Sequence, residues 1–135
     1  MYVYEEMVDV LYNKFPELTE RYAEKIEYYK KLFLDDESGT YIHYESFFNR
    51  YIEDALKNEP KESRILDRIF VFFEEMATSE DAGVNNLLQV ALLESIWSIG
   101  YDAYKRAIDL MLPKTKELSN ALISYLREPK PGDTG

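Results

Sequence analysis

The sequence predicts an all-α fold of about seven helices in antiparallel hairpins. Apolar residues recur at three- and four-residue intervals along most of the chain, and strand-like alternation is scarce. The prolines also fall between the periodic stretches rather than inside them.

A first helix is expected over about Tyr2 to Lys14, with Val3, Met7, Val10 and Leu11 on one face. Pro16 opens a second helix to about Leu34, since a proline at the first helical position sacrifices no helical hydrogen bond. Leu18, Tyr22, Ile26, Tyr29 and Phe33 make its apolar stripe, away from Glu20, Glu24 and Glu27. Residues 35–40 form a turn cluster, after which Tyr44, Phe47, Phe48, Tyr51, Ile52 and Leu56 predict a third helix, ended by Asn58 and Pro60.

The fourth helix starts near Ser63. Its apolar positions, Ile65, Leu66, Ile69, Phe70, Phe72, Phe73 and Met76, are too broad for a one-sided stripe and predict packing on two sides. Ser79 reads as the N-cap of the fifth helix, with Glu80 and Asp81 near its positive end. That helix is apolar around most of its circumference from Val84 to Trp97 and is expected at the centre of the core. Gly100 reads as a left-handed cap, Asp102 to Leu112 as a sixth helix, and Pro113 as the start of a seventh through about Leu126. Residues 1–126 are read as a single helical domain and residues 127–135, with Pro129, Pro131 and Gly132, as a flexible tail. Short turns between helices suit a compact bundle or a short HEAT-like array, and no repeat of fixed period decides between them.

A chain of 135 residues buries an adequate core without staples, and the absence of cysteine removes disulfides, thiolate zinc sites and cysteine nucleophiles together. The net charge of −10 repels phosphate backbones and anionic lipid, so nucleic acid and membrane are not expected partners. The acidic start and the lack of a long apolar run predict a cytoplasmic location.

No familiar catalytic pattern emerges. His43 is the sole histidine, without metal-ligand spacing, and reads as surface or capping material. Asp36, Ser38, Gly39 and Glu45 fall at the spacing of a calcium loop, but Leu34 stands where its first carboxylate belongs, which predicts a plain acidic turn. Phosphate loops and serine-hydrolase elbows are absent from the sequence. No metal and no cofactor is expected. Glu94 reads as part of a narrow polar stripe with Ser95 and Ser98, the alternative being a partly buried carboxylate with a raised pKa.

What stands out is surface chemistry. Ile69 through Tyr104 carries Glu74, Glu75, Glu80, Asp81, Glu94 and Asp102 with no lysine or arginine, and Leu32 through Asn49 repeats the pattern with Asp35, Asp36, Glu37 and Glu45. Such base-free segments steer basic partners. Tyrosine is abundant, at 12 residues, and its apolar body and polar tip suit interfaces. Tyr22, Tyr29 and Tyr51 fall at stripe spacing and read as core, whereas Tyr41 and Tyr44 follow the acidic turn. The candidate partner-binding residues are therefore Asp35, Asp36, Glu37, Tyr41, Tyr44, Glu74, Glu75, Glu80 and Asp81.

Residues 68–97, RIFVFFEEMATSEDAGVNNLLQVALLESIW, resemble small acidic all-helical bacterial proteins of the polymorphic-toxin immunity type. The resemblance implies a non-catalytic antitoxin that binds and neutralises a cognate toxin domain, such as a nuclease, by covering a basic active-site surface. A helical adaptor or self-associating scaffold is the alternative, and an enzyme with an unfamiliar carboxylate site a third.

Overall fold

The computed structural model describes residues 2–32 and 38–127. Among them the chain forms seven continuous helices and no strand. A 3-10 turn at Tyr4–Glu6 leads into α1 at Met7–Lys14. Phe15 leaves the helical region (φ −128°, ψ 67°), and Pro16 restarts the chain as α2, Pro16–Leu32. Residues 33–37 and 128–135, and with them the expected end of the second helix, most of the acidic turn and the tail, lie outside the described residues.

The third helix, α3, is longer than its apolar pattern implied. It runs through Ser38–His43, a π turn at Tyr44–Phe48, and Asn49–Asn58. Pro60 then breaks the chain, and Ser63 caps α4, Arg64–Ala77, by accepting from the Ile65 N–H at 3.1 Å. The next helix, α5, also contains a π turn: it runs through Ala82–Leu87, Leu88–Leu93 and Glu94–Ile99. Its cap is Asp81 rather than Ser79. The Asp81 Oδ1 accepts from Gly83 and Val84 at 2.8 and 3.1 Å, while the Ser79 hydroxyl turns back to donate to the Tyr2 carbonyl.

Gly100 has a positive φ, but its φ of 140° and ψ of 163° are extended, not the left-handed helical cap expected from sequence. The backbone straightens there and immediately starts α6, Tyr101–Leu110. Met111 is extended, and Pro113 opens α7, Pro113–Arg127, as its chemistry predicts.

The helices pack as a compact all-α bundle with three at its centre. Helix α3 touches α1, α2, α4, α5 and α6; α4 lies against α3, α5, α6 and α7; α5 meets α3, α4, α6 and α7. The breadth of the α4 apolar surface thus has its cause, since neighbours cover it on several sides. Aromatic rings fill the middle: the Phe48 ring lies 4.8 Å from Phe15 and 5.8 Å from Phe72, and Tyr44, Phe48 and Phe73 are wholly buried. Burying such rings removes the largest apolar areas the chain has from water, which is the main stabilisation available to a domain of this size.

Two polar clamps fix the periphery. Arg68 of α4 reaches the α1–α2 corner, donating both guanidinium nitrogens to Glu17 (2.8 and 3.0 Å) and one to the Lys14 carbonyl at the end of α1. Tyr51 of α3 donates to the same Glu17 at 2.6 Å. Partial burial works to raise the Glu17 pKa, but the Arg68 and Tyr51 hydrogen bonds outweigh it and hold it at about 2. At the other side, Arg106 of α6 donates to the Leu56 and Glu59 carbonyls and closes the end of α3.

Candidate binding surface

The residues singled out from sequence do not gather into one patch. Tyr44 is 0% exposed and donates its hydroxyl to the Met7 carbonyl at 2.8 Å, so it belongs to the core and cannot meet a partner. It sits inside α3 on the face turned towards α1. Tyr41 is half-buried, with its ring against Tyr4 and its hydroxyl accepting from the Asn86 amide at 2.9 Å.

Three of the six acidic residues in the 69–104 segment are engaged within the chain. Glu74 accepts from the backbone N–H groups of Lys114 and Thr115 and from the Thr115 hydroxyl, capping α7 from the neighbouring helix. Those bonds outweigh its desolvation and lower its pKa. Glu75 pairs with Lys14 at 3.2 Å. Asp81, besides capping α5, accepts from the Tyr4 N–H at 3.1 Å, and that bond with the Val84 and Gly83 bonds lowers its pKa. Glu80 is exposed, with no ion pair or side-chain hydrogen bond among the described residues. Asp35, Asp36 and Glu37 lie outside the described residues.

A different set of carboxylates converges. Between α3 and α5 an open groove of about 480 Å³ is lined by Glu45, Glu53 and Glu94, with Val90, Ser95 and Ser98 beside them. No lysine, arginine or histidine lines it among the described residues. Glu53 pairs with Lys57 one turn along α3, at 2.8 Å, leaving the groove itself base-free. Glu94, Ser95 and Ser98 do form a polar stripe, and Val90 within it is 44% exposed.

Both walls of this groove carry the π turns. The turn in α3 includes Glu45, that in α5 includes Val90, and the two turns pack against each other. Asn49 bridges them, donating to the Ala91 carbonyl at 2.7 Å and to the Ser95 hydroxyl at 3.0 Å. A π turn frees backbone carbonyls from the regular ladder, and here a side-chain amide takes one of them up. Sequence reading named Glu45 and Glu94 but had no signal that α3 and α5 cross there, since that juxtaposition is tertiary.

His43 is neither surface nor cap. It is 2% exposed within continuous α3, its Nδ1 lying 2.5 Å from the Tyr12 hydroxyl. Burial, together with the charge of Lys30, lowers its pKa from 6.5 to about 4. Burial raises the Tyr12 pKa, so Tyr12 keeps its proton and donates it to a neutral imidazole. His43 lines neither this groove nor the tyrosine-walled one between α2 and α3. Among the described residues no group of histidine and carboxylate side chains is placed to hold a metal ion, and no helix is long and apolar enough to cross a membrane.

Fold and charge together define an acidic all-helical domain. Residues 8–127 match the family described as Domain of unknown function (DUF7674), and the chain belongs to that family. No curated protein and no solved structure matches it.

Proposed function

We propose that the chain is a non-catalytic protein-binding domain, an immunity protein that neutralises a cognate bacterial toxin by covering a basic active-site surface. The observation that carries this reading is the base-free groove between α3 and α5, where Glu45, Glu53 and Glu94 open to one side. Glu45 and Glu94, beside a Glu53 that Lys57 partly neutralises, on a chain of net charge −10, make a local negative field that attracts lysine and arginine side chains and accelerates their docking. The carboxylates stand on two helices anchored in the core, so little ordering entropy is lost on contact. A nuclease toxin presents the matching surface, a cationic groove made for phosphates. The cytoplasm is the compartment this role requires, because the nucleic acid at risk is there.

The test takes as its toxin a variable C-terminal domain of a secreted protein encoded next to this gene, the neighbour this reading requires. Co-expression of the two in a bacterial host restores growth that the toxin alone abolishes; continued killing at equal expression rejects the immunity role. In binding kinetics, the triple reversal Glu45→Lys, Glu53→Lys, Glu94→Lys slows association about tenfold or more at low salt, and the difference shrinks as salt screens it. Reversal of exposed Glu80, outside the groove, leaves the rate within about twofold. Equal rates for the triple variant and the unaltered chain reject this groove as the docking site.

A further inference from the structure

A second groove, of about 470 Å³, lies between α2 and α3. From its chemistry we infer that it is a binding site for a small aromatic anion, a planar ring bearing a phosphate or carboxylate.

Helices α2 and α3 run antiparallel, and Arg21 of α2 pairs across the gap with Asp54 of α3 at 3.4 Å. Moving one turn forward on α2 and one turn back on α3 gives Lys25 and Arg50, and both line the groove. Where the neighbouring turn places opposite charges face to face, this one places two cations. Neither makes an ion pair or hydrogen bond among the described residues. In a chain with 26 acidic and 16 basic residues, carboxylates are in excess, yet this groove is lined by two bases and one carboxylate, Glu24. An anion seated there takes charge-assisted hydrogen bonds from these two bases.

The walls supply the apolar half of the site. Phe47 forms the floor, with the Tyr22 ring 5.2 Å and the Tyr29 ring 5.7 Å from it. Tyr28 is 62% exposed at the rim. A flat ring laid on these faces gains stacking and buried area that a bare anion does not. Glu24 and Tyr28 also line an adjoining groove, which places them on the ridge between the two, so the one carboxylate present bounds the site. The α2 backbone breaks from helical geometry at Tyr22 (φ −129°, ψ 25°), and the π turn at Tyr44–Phe48 bulges α3 on the facing wall. Both walls are therefore locally irregular beside the concavity, which close packing of two regular helices would otherwise fill. The volume falls in the range of small-molecule sites, roughly 300 to 1,000 Å³.

The experiment is an amide NMR titration of the full chain with phenyl phosphate, with inorganic phosphate and benzylamine as comparison probes. Phenyl phosphate should shift the amides of residues 22–29 and 46–50 and saturate in the low millimolar range, with inorganic phosphate weaker and benzylamine inert. Lys25→Ala with Arg50→Ala weakens phenyl phosphate about tenfold, and Tyr28→Ala weakens it about threefold while leaving inorganic phosphate unchanged. Far-UV circular dichroism confirms that these surface variants stay folded. Shifts scattered over other helices, or binding that survives the double substitution, or equal binding of benzylamine, overturns the assignment. So does equal affinity for phenyl phosphate and inorganic phosphate, which would make the groove a simple anion trap.

Discussion

Folding takes the His43 imidazole out of water, beside Tyr12 and within the field of Lys30, and both effects oppose its protonation. The unfolded chain binds that proton near pH 6.5 and the folded chain only near 4, so stability is intact above pH 6.5 and declines as pH falls towards 4. The three carboxylates whose pKa the fold lowers, Glu17, Glu74 and Asp81, act below their ordinary values of 4.5 and 3.8 and leave the window between clear. Urea denaturation at pH 7 and pH 5 should therefore show a loss of about 1 to 2 kcal/mol. In His43→Gln that loss disappears; if it persists, the titrating group lies elsewhere. Gly83 sets a second limit at this scale. A Cβ there would stand 2.9 Å from the Tyr4 Cβ and 3.0 Å from the Asp81 carboxylate, both fixed by the bond between them. Gly83→Ala should cost about 1 to 3 kcal/mol in thermal or chemical unfolding, though alanine is otherwise the better helix former.

The π turn in α5 explains why its sequence looked apolar on nearly every side. Each regular helical residue advances about 100° around the axis, and a π turn holds the phase back by about one residue. Ile96, which a regular helix would carry well away from Val84, returns to the line of Val84 and Leu88, and all three are buried. The pattern thus recorded the bulge, but at 3.6 residues per turn it looks like an all-round core helix. Asn49 secures the bulge from α3, and Asn49→Ala should destabilise the fold by about 1 to 2 kcal/mol by leaving part-buried polar groups short of a partner. Calorimetry on that variant checks the estimate; an unchanged midpoint would mean that the Ser95 hydroxyl, which also donates to the Ala91 carbonyl, suffices alone. Helix starts at Pro16, Ser63 and Pro113 were legible because their signal is local, whereas the start of α3 was hidden by glycine and serine that read as turn.

At the scale of the molecule, the bundle was legible and the site was not. Charge runs along the sequence correctly marked where bases are missing, but could not tell a carboxylate that caps a helix from one that faces solvent. Glu74, Glu75 and Asp81 are each committed to another part of the chain, by partners 40 to 77 residues distant. Only tertiary structure pairs Glu45 and Glu53 with Glu94, or sets Lys25 opposite Arg50. Both grooves flank α3, the helix with the most neighbours, so each is supported by the most constrained element of the fold.

The docking of the first turn has a consequence for the order of events in folding. The Tyr4 N–H meets Asp81, and the Tyr2 carbonyl meets Ser79, across 77 residues of chain, while the Tyr2 ring rests on Phe72. Closing so long a loop for a few contacts is entropically unrewarded until the α4–α5 corner exists to receive it. The N-terminal turn should accordingly settle after the rate-limiting barrier. In stopped-flow experiments Tyr2→Ala should speed unfolding and leave the refolding rate nearly untouched, whereas a comparable slowing of refolding would place the turn in the nucleus. The strand of contacts that pins the start of the chain would then act as a latch on the finished protein, governing how long it stays folded more than how fast it gets there.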